Sequence, residues 1–132
     1  MMRRETIHTP DCAPTPPFFS QAVKVGPMIF VSGQLSRDAA GNVVGKGDMA
    51  AQTRQVIANL RAVLNAAGAD LGHVVKLTAF MTDMARAHEA WAIRTEMFAD
   101  RPPASTGVEV SRLTHPDFMI EMEAIAVIDD GG

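Results

Sequence analysis

Residues 101–127 read RPPASTGVEVSRLTHPDFMIEMEAIAV, and this stretch decides the fold. Pro102-Pro103 closes whatever helix precedes it, because proline lacks the N–H that a helix interior needs. A strand is expected over residues 106–110, then a connection, then a second strand over residues 119–127. Inside the second strand Glu121 and Glu123 interrupt an apolar run. Side chains two apart on a strand share a face, so both carboxylates point the same way. Carboxylates on a mostly apolar strand are costly unless they are paired, hydrated or used.

Upstream, residues 19–25 and 28–32 read as two strands joined at Gly26-Pro27, a turn-forming pair. Residues 36–47 are polar and rich in Gly, Asp and Asn, and read as an exposed loop. Asp48 caps a helix to about Ala67, with Ile57, Leu60, Leu64 and Ala67 at helical spacing and Gly68 as its stop. A strand follows over residues 73–82. Val75, Leu77, Ala79 and Met81 are expected on one face, and Val74, Lys76, Thr78 and Phe80 on the other. Thr82 or Asp83 caps a second helix to about Phe98, with Met84, His88, Trp91, Thr95 and Phe98 along its packed stripe. Trp91 is read as core, and the nine methionines as fillers of core and subunit contacts.

The order strand, strand, helix, strand, helix, strand, strand predicts an α+β fold, one sheet with both helices packed on a single face. The other face carries many apolar side chains, which predicts a homo-oligomer. At 132 residues, 47% hydrophobic and 20% charged, the chain fits one soluble domain over 1–132, with residues 1–17 as a Pro-rich N-terminal lead-in. A net charge of -3 provides no broad footprint for nucleic acid. Cys12 is the single cysteine, so no internal disulfide forms, which suits a reducing compartment. No apolar run reaches membrane-spanning length, and no apolar signal core follows the basic start; the expected location is cytoplasmic. His8, His73, His88 and His115 share no metal-ligand spacing with one another or with Cys12, so no metal is expected.

Several motifs, in order, resemble the RidA/YjgF (reactive intermediate deaminase, or Rid) family. They are Phe19-Ser20-Gln21-Ala22-Val23, Val31-Ser32-Gly33-Gln34, Gln52-Thr53-Arg54-Gln55 through Asn59-Leu60, and Val74-Val75-Lys76-Leu77-Thr78. Pro103-Ala104, Val108-Glu109-Val110 and the run from Ile120 to Ala126 complete the set. The resemblance implies a chorismate-mutase-like fold, a homotrimer, and small-molecule clefts between subunits. It implies hydrolysis of reactive enamines or imines to carbonyl compounds and ammonia, without cofactor. Some family members carry an endoribonuclease label, which the composition here does not support. The alternative weighed is a trimer that binds a metabolite without turning it over.

The resemblance assigns Glu123 to the catalytic glutamate that holds water. It assigns Ser105, Thr106, Gly107, Gly33 and Phe19 to the substrate cleft. Glu121 is read as a structural ion pair with Arg112 or Lys76. Deaminating members carry an arginine where this chain has Ser105, and that arginine would clamp a substrate carboxylate by two parallel hydrogen bonds. Losing one member of a buried charge pair costs about 2–5 kcal/mol. The expectation is therefore a less acidic substrate, with Arg101 and Arg112 as alternative anion contacts. Gly107 replaces a frequent cysteine and Phe19 a frequent tyrosine, so the cleft is plainer than usual.

Overall fold

In this computed structural model, which describes residues 2–128, six strands form one sheet. They are β1 (Arg4–Ile7), β2 (Ala22–Val25), β3 (Met28–Gln34), β4 (Val74–Met81), β5 (Ala104–Glu109) and β6 (Ile120–Val127). The helices are α1 (Met49–Ala66) and α2 (Ala87–Phe98). The ends of the domain expected over 1–132, residues 1 and 129–132, lie outside the described residues.

The sheet order is β1-β2-β3-β6-β4-β5, antiparallel except for the β4–β5 pair. Gly26 (φ 57°) and Pro27 make the two-residue turn that joins β2 to β3, a conformation glycine adopts without strain. The last strand in sequence, β6, lies centrally between β3 and β4. Ile120, Met122, Ala124 and Ala126 of β6 are buried with Leu77, Ala79 and Met81 of β4 and Ile29 and Val31 of β3. Ile57, Leu60 and Leu64 of α1 and Ala90, Ile93 and Phe98 of α2 belong to the same core. Both helices therefore cover one face, as the α+β reading requires. Phe30 (41% exposed), Val108 and Val127 remain open on the other.

Three local expectations are corrected. The 1–17 lead-in is not all lead-in, since β1 pairs antiparallel with β2 from Arg4 opposite Val25 to Ile7 opposite Ala22. In β4, a register shift between Val74 and Lys76 moves Val75 off the face of Leu77, leaving it 47% exposed while Val74 is buried. Asp83 does accept from the Ala85 N–H, but it caps a 3₁₀ turn at Met84–Arg86 that precedes α2. That turn shifts the packed stripe to Ala87, Ala90, Ile93 and Phe98. His88 is consequently exposed, and Trp91 is 54% exposed rather than core.

Gln52 joins α1 to the approach to β6. Its Nε2 donates to Gly45 O (3.1 Å) and Asp117 O (2.8 Å), and its Oε1 accepts from Met119 N at 2.8 Å. The side chain is fully buried, so its loss strands backbone groups away from water. Gln52→Leu is expected to lower unfolding free energy by about 2–4 kcal/mol. Urea denaturation checks this, and an unchanged midpoint would show that water replaces all three bonds.

Candidate functional site

The main cleft, about 570 Å³, lies where the end of β3 meets the start of β6. Antiparallel pairing places Val31 opposite Ala124 and Gln34 opposite Met122, so β3 carries one extra residue between them. This bulge turns Gly33 toward Glu121. A methyl group placed on Gly33 would lie 2.8 Å from Glu121 Oε2, so only glycine leaves the carboxylate its space. Phe19, Gly33, Arg37 and Glu121 line the cleft, with Ala13 and Pro16 on the lead-in side. The Phe18 and Phe19 rings stand 5.2 Å apart at its rim.

Glu121, half-buried on the outer face of β6, has its carboxyl pushed above the usual range, first by desolvation and then by the neighbouring Glu123 charge. Among the described residues no hydrogen bond or ion pair holds it. The expected pairing with Lys76 does not form, because Lys76 Nζ donates to Thr106 Oγ1 at 2.6 Å. Arg112 is exposed and forms no pair with Glu121 either. A carboxyl with a raised pKa, free of partners and open to a cleft, is suited to accept a proton from water or to give one.

The structure brings together only part of the set read from sequence. Phe19 and Gly33 line the cleft. Glu123 does not: it shares the face of Glu121 but lies exposed opposite Thr78, two pairs further along. Ser105, Thr106 and Gly107 sit on the edge strand β5, away from this cleft. Ser105 accepts a hydrogen bond from Arg94 of α2, and Gly107 faces the Met81 side chain. Arg101 lies against Gly72 and His73, and does not reach Ser105. Glu121, Arg37 and Arg94 are the additions that the structure makes. Among the described residues no group of three or more His, Cys, Asp or Glu is placed to hold a metal ion. No helix there is long and apolar enough to cross a membrane.

A family model described as endoribonuclease L-PSP matches residues 11–128. A RutC family protein of Pyrococcus abyssi is 45% identical over 127 residues, covering 95% of this chain and 98% of that protein. A protein of Salmonella typhimurium named 2-iminobutanoate/2-iminopropanoate deaminase is 38% identical over 112 residues, covering 83% of this chain and 86% of its own length. Among solved structures, the YjgF gene product of E. coli superposes with a TM-score of 0.86 at 37% identity, covering 93% of this chain and 98% of that one. Sheet, helices and cleft thus define a member of the YjgF-like α+β class. The chain belongs to the RidA/YjgF family.

Because the folded chain holds the Glu121 proton to higher pH than the unfolded chain does, the native state binds the extra proton above the ordinary carboxyl range. Stability from this group is complete below that range and is lost as pH rises through the raised pKa. Glu121→Gln removes the charge and keeps the shape. Its urea midpoint should match the native one below about pH 4 and exceed it near pH 8. A variant less stable than native at the higher pH would mean that the carboxylate has a stabilising partner.

Proposed function

We propose that the protein hydrolyses a small, reactive imine or enamine to a carbonyl compound and ammonia without a cofactor. Glu121 is assigned the catalytic role that the sequence alone had given to Glu123. The observation that carries this reading is the Glu121 carboxyl, desolvated, unpaired and against Gly33 in an open cleft. The deaminase name of the Salmonella relative supports the same class of reaction.

The chemistry asks little of the protein, because the C=N bond is already electrophilic. Glu121 in its protonated form donates to the imine nitrogen, and the resulting carboxylate takes a proton from the water that adds to carbon. The carbinolamine then collapses, with the nitrogen leaving as ammonia and the oxygen retained as the carbonyl. A carboxyl whose pKa is raised toward neutrality serves both halves better than an ordinary one. Phe18, Phe19 and Pro16 provide apolar walls that orient the substrate and limit bulk water.

The uncovered sheet face suits assembly, and the family is typically trimeric; we assign a homotrimer with clefts at subunit boundaries. A net charge of -3 and a carboxylate at the cleft both disfavour a polyanion, so the endoribonuclease label of the family is not adopted for this chain. Ammonia release from freshly generated imines, corrected for spontaneous decay, tests the reaction. Glu121→Gln should slow it about a hundredfold or more, while Glu123→Gln retains most of the native rate. Equal rates for native and Glu121→Gln would remove the carboxyl from the chemistry.

A further inference from the structure

Phe18 is the most exposed large apolar side chain among the described residues, with 83% of its surface open, and Phe19 beside it is 43% open. Single apolar side chains in water are ordinary on soluble proteins. Two adjacent rings at the mouth of a cleft form a patch instead, and apolar patches mark binding grooves. Their centroids lie 5.2 Å apart with planes tilted by 59°, so the rings already pack as a pair. That contact covers little of Phe18, and the rest of its ring is free.

The chain holds the pair at the rim and keeps it from collapsing inward. Phe19 N donates to Pro16 O across a turn at 3.5 Å, and Pro14, Pro16 and Pro17 restrict the backbone around it. Behind the turn, Gln21 donates to Thr9 O and Ala13 O while its Oε1 accepts from Thr9 N at 2.7 Å. Cys12 Sγ donates to Gln34 Oε1, which ties the same segment to the end of β3. A wall ordered in advance loses little freedom when a ligand seats against it.

The groups facing the rings decide what that ligand is. Ser32, Gln34 and Asn59 line the cleft, but each spends its side chain inside the protein. Ser32 Oγ donates to Ser20 O, and Gln34 Nε2 donates to Ser32 O. Asn59 Nδ2 donates to Leu35 O and Arg37 O, while its Oδ1 accepts from Gln55. Free polar groups are therefore few, and Pro16, Phe18, Phe19 and Leu35 supply apolar surface. At about 570 Å³ the cleft is also large enough to bury a drug-sized molecule, and a three-carbon imine leaves most of it empty. A ring on the substrate would fill that space and exchange the water on Phe18 for a further aromatic contact.

We propose that Phe18 is a specificity-determining residue and that the substrate class is an imine carrying an aryl group, seated against Phe18 while Glu121 acts on the C=N bond. The inference rests on the imine-hydrolase reading above and names the substituent that this reading leaves open. It also gives the less acidic substrate expected from sequence a positive character, selection by a ring instead of by a charge. The rival occupant of the rings is a second copy of this chain.

Neutral probes keep Arg37 out of the comparison. Phenylacetamide and propanamide are unreactive and differ in the ring, so calorimetric titration reads the aryl contact without turnover. Native protein should bind phenylacetamide about tenfold or more tighter than propanamide. Phe18→Ala should lose most of that difference, and Phe18→Trp should keep it. In turnover, 2-phenylethan-1-imine and propan-1-imine, each generated by oxidation of its amine and corrected for spontaneous decay, give the matching pair. The ratio of their kcat/KM values should favour the aryl imine in native protein and fall about tenfold in Phe18→Ala. Oligomer mass and urea midpoint should stay native in both variants, since the ring is exposed.

The proposal is overturned if native protein binds phenylacetamide no better than propanamide, or if Phe18→Ala keeps the native preference. A loss of oligomer mass in Phe18→Ala would overturn it too, by showing that the ring belongs to a contact between copies. If phenylacetamide binds through Phe18 yet neither imine is hydrolysed faster than it decays, the deaminase reading falls and the aryl site stands. If both imines are hydrolysed with no preference for the ring, the deaminase reading stands and this inference falls.

Discussion

Burial of Ile120, Met122, Ala124 and Ala126 beneath the two helices fixes the register of β6, and the rest of the molecule follows from that register. A slip of one residue would drive Glu121 and Glu123 into the core and expose the apolar set, at a cost no other contact could offset. Because β6 is central, its register also sets those of β3 and β4. The same alternation that builds the core therefore delivers a carboxylate to the opposite face. There the bulge in β3 and the missing side chain of Gly33 let it sit unpaired.

Much of this was legible in the sequence, for physical reasons that can be named. The turn at Gly26-Pro27, the Asp48 cap and the single covered face follow from local chemistry and from the number of helices available. Two errors share one cause, an extra residue or turn that changes phase without leaving a pattern. The bulge at Val75 swapped its face, and the 3₁₀ turn after Asp83 rotated α2 so that Trp91 and His88 point outward. Strand β1 was hidden because four residues with one buried side chain carry almost no periodicity.

The choice between Glu121 and Glu123 is a different kind of problem. Periodicity places both on one face and cannot rank them. Topology can: if β3 and β6 pair antiparallel, the glycine at the end of β3 must meet the carboxylate nearest the start of β6. The Arg94–Ser105 contact left no signal at all, since it is a hydrogen bond between a helix and an edge strand eleven residues on.

The segment once read as lead-in has a second part in the architecture. Ala13, Thr15, Pro16, Phe18 and Phe19 form one wall of the main cleft, yet of these only Ala13 is buried. Gln21 holds the segment in place by donating to Thr9 O and Ala13 O, and Cys12 anchors it in the core while donating to Gln34 Oε1. Substitutions between these anchor points would reshape the cleft mouth at little cost to the sheet or to the acid. Such a scaffold can diversify its ligands by rewriting a few surface residues while the folding problem stays solved.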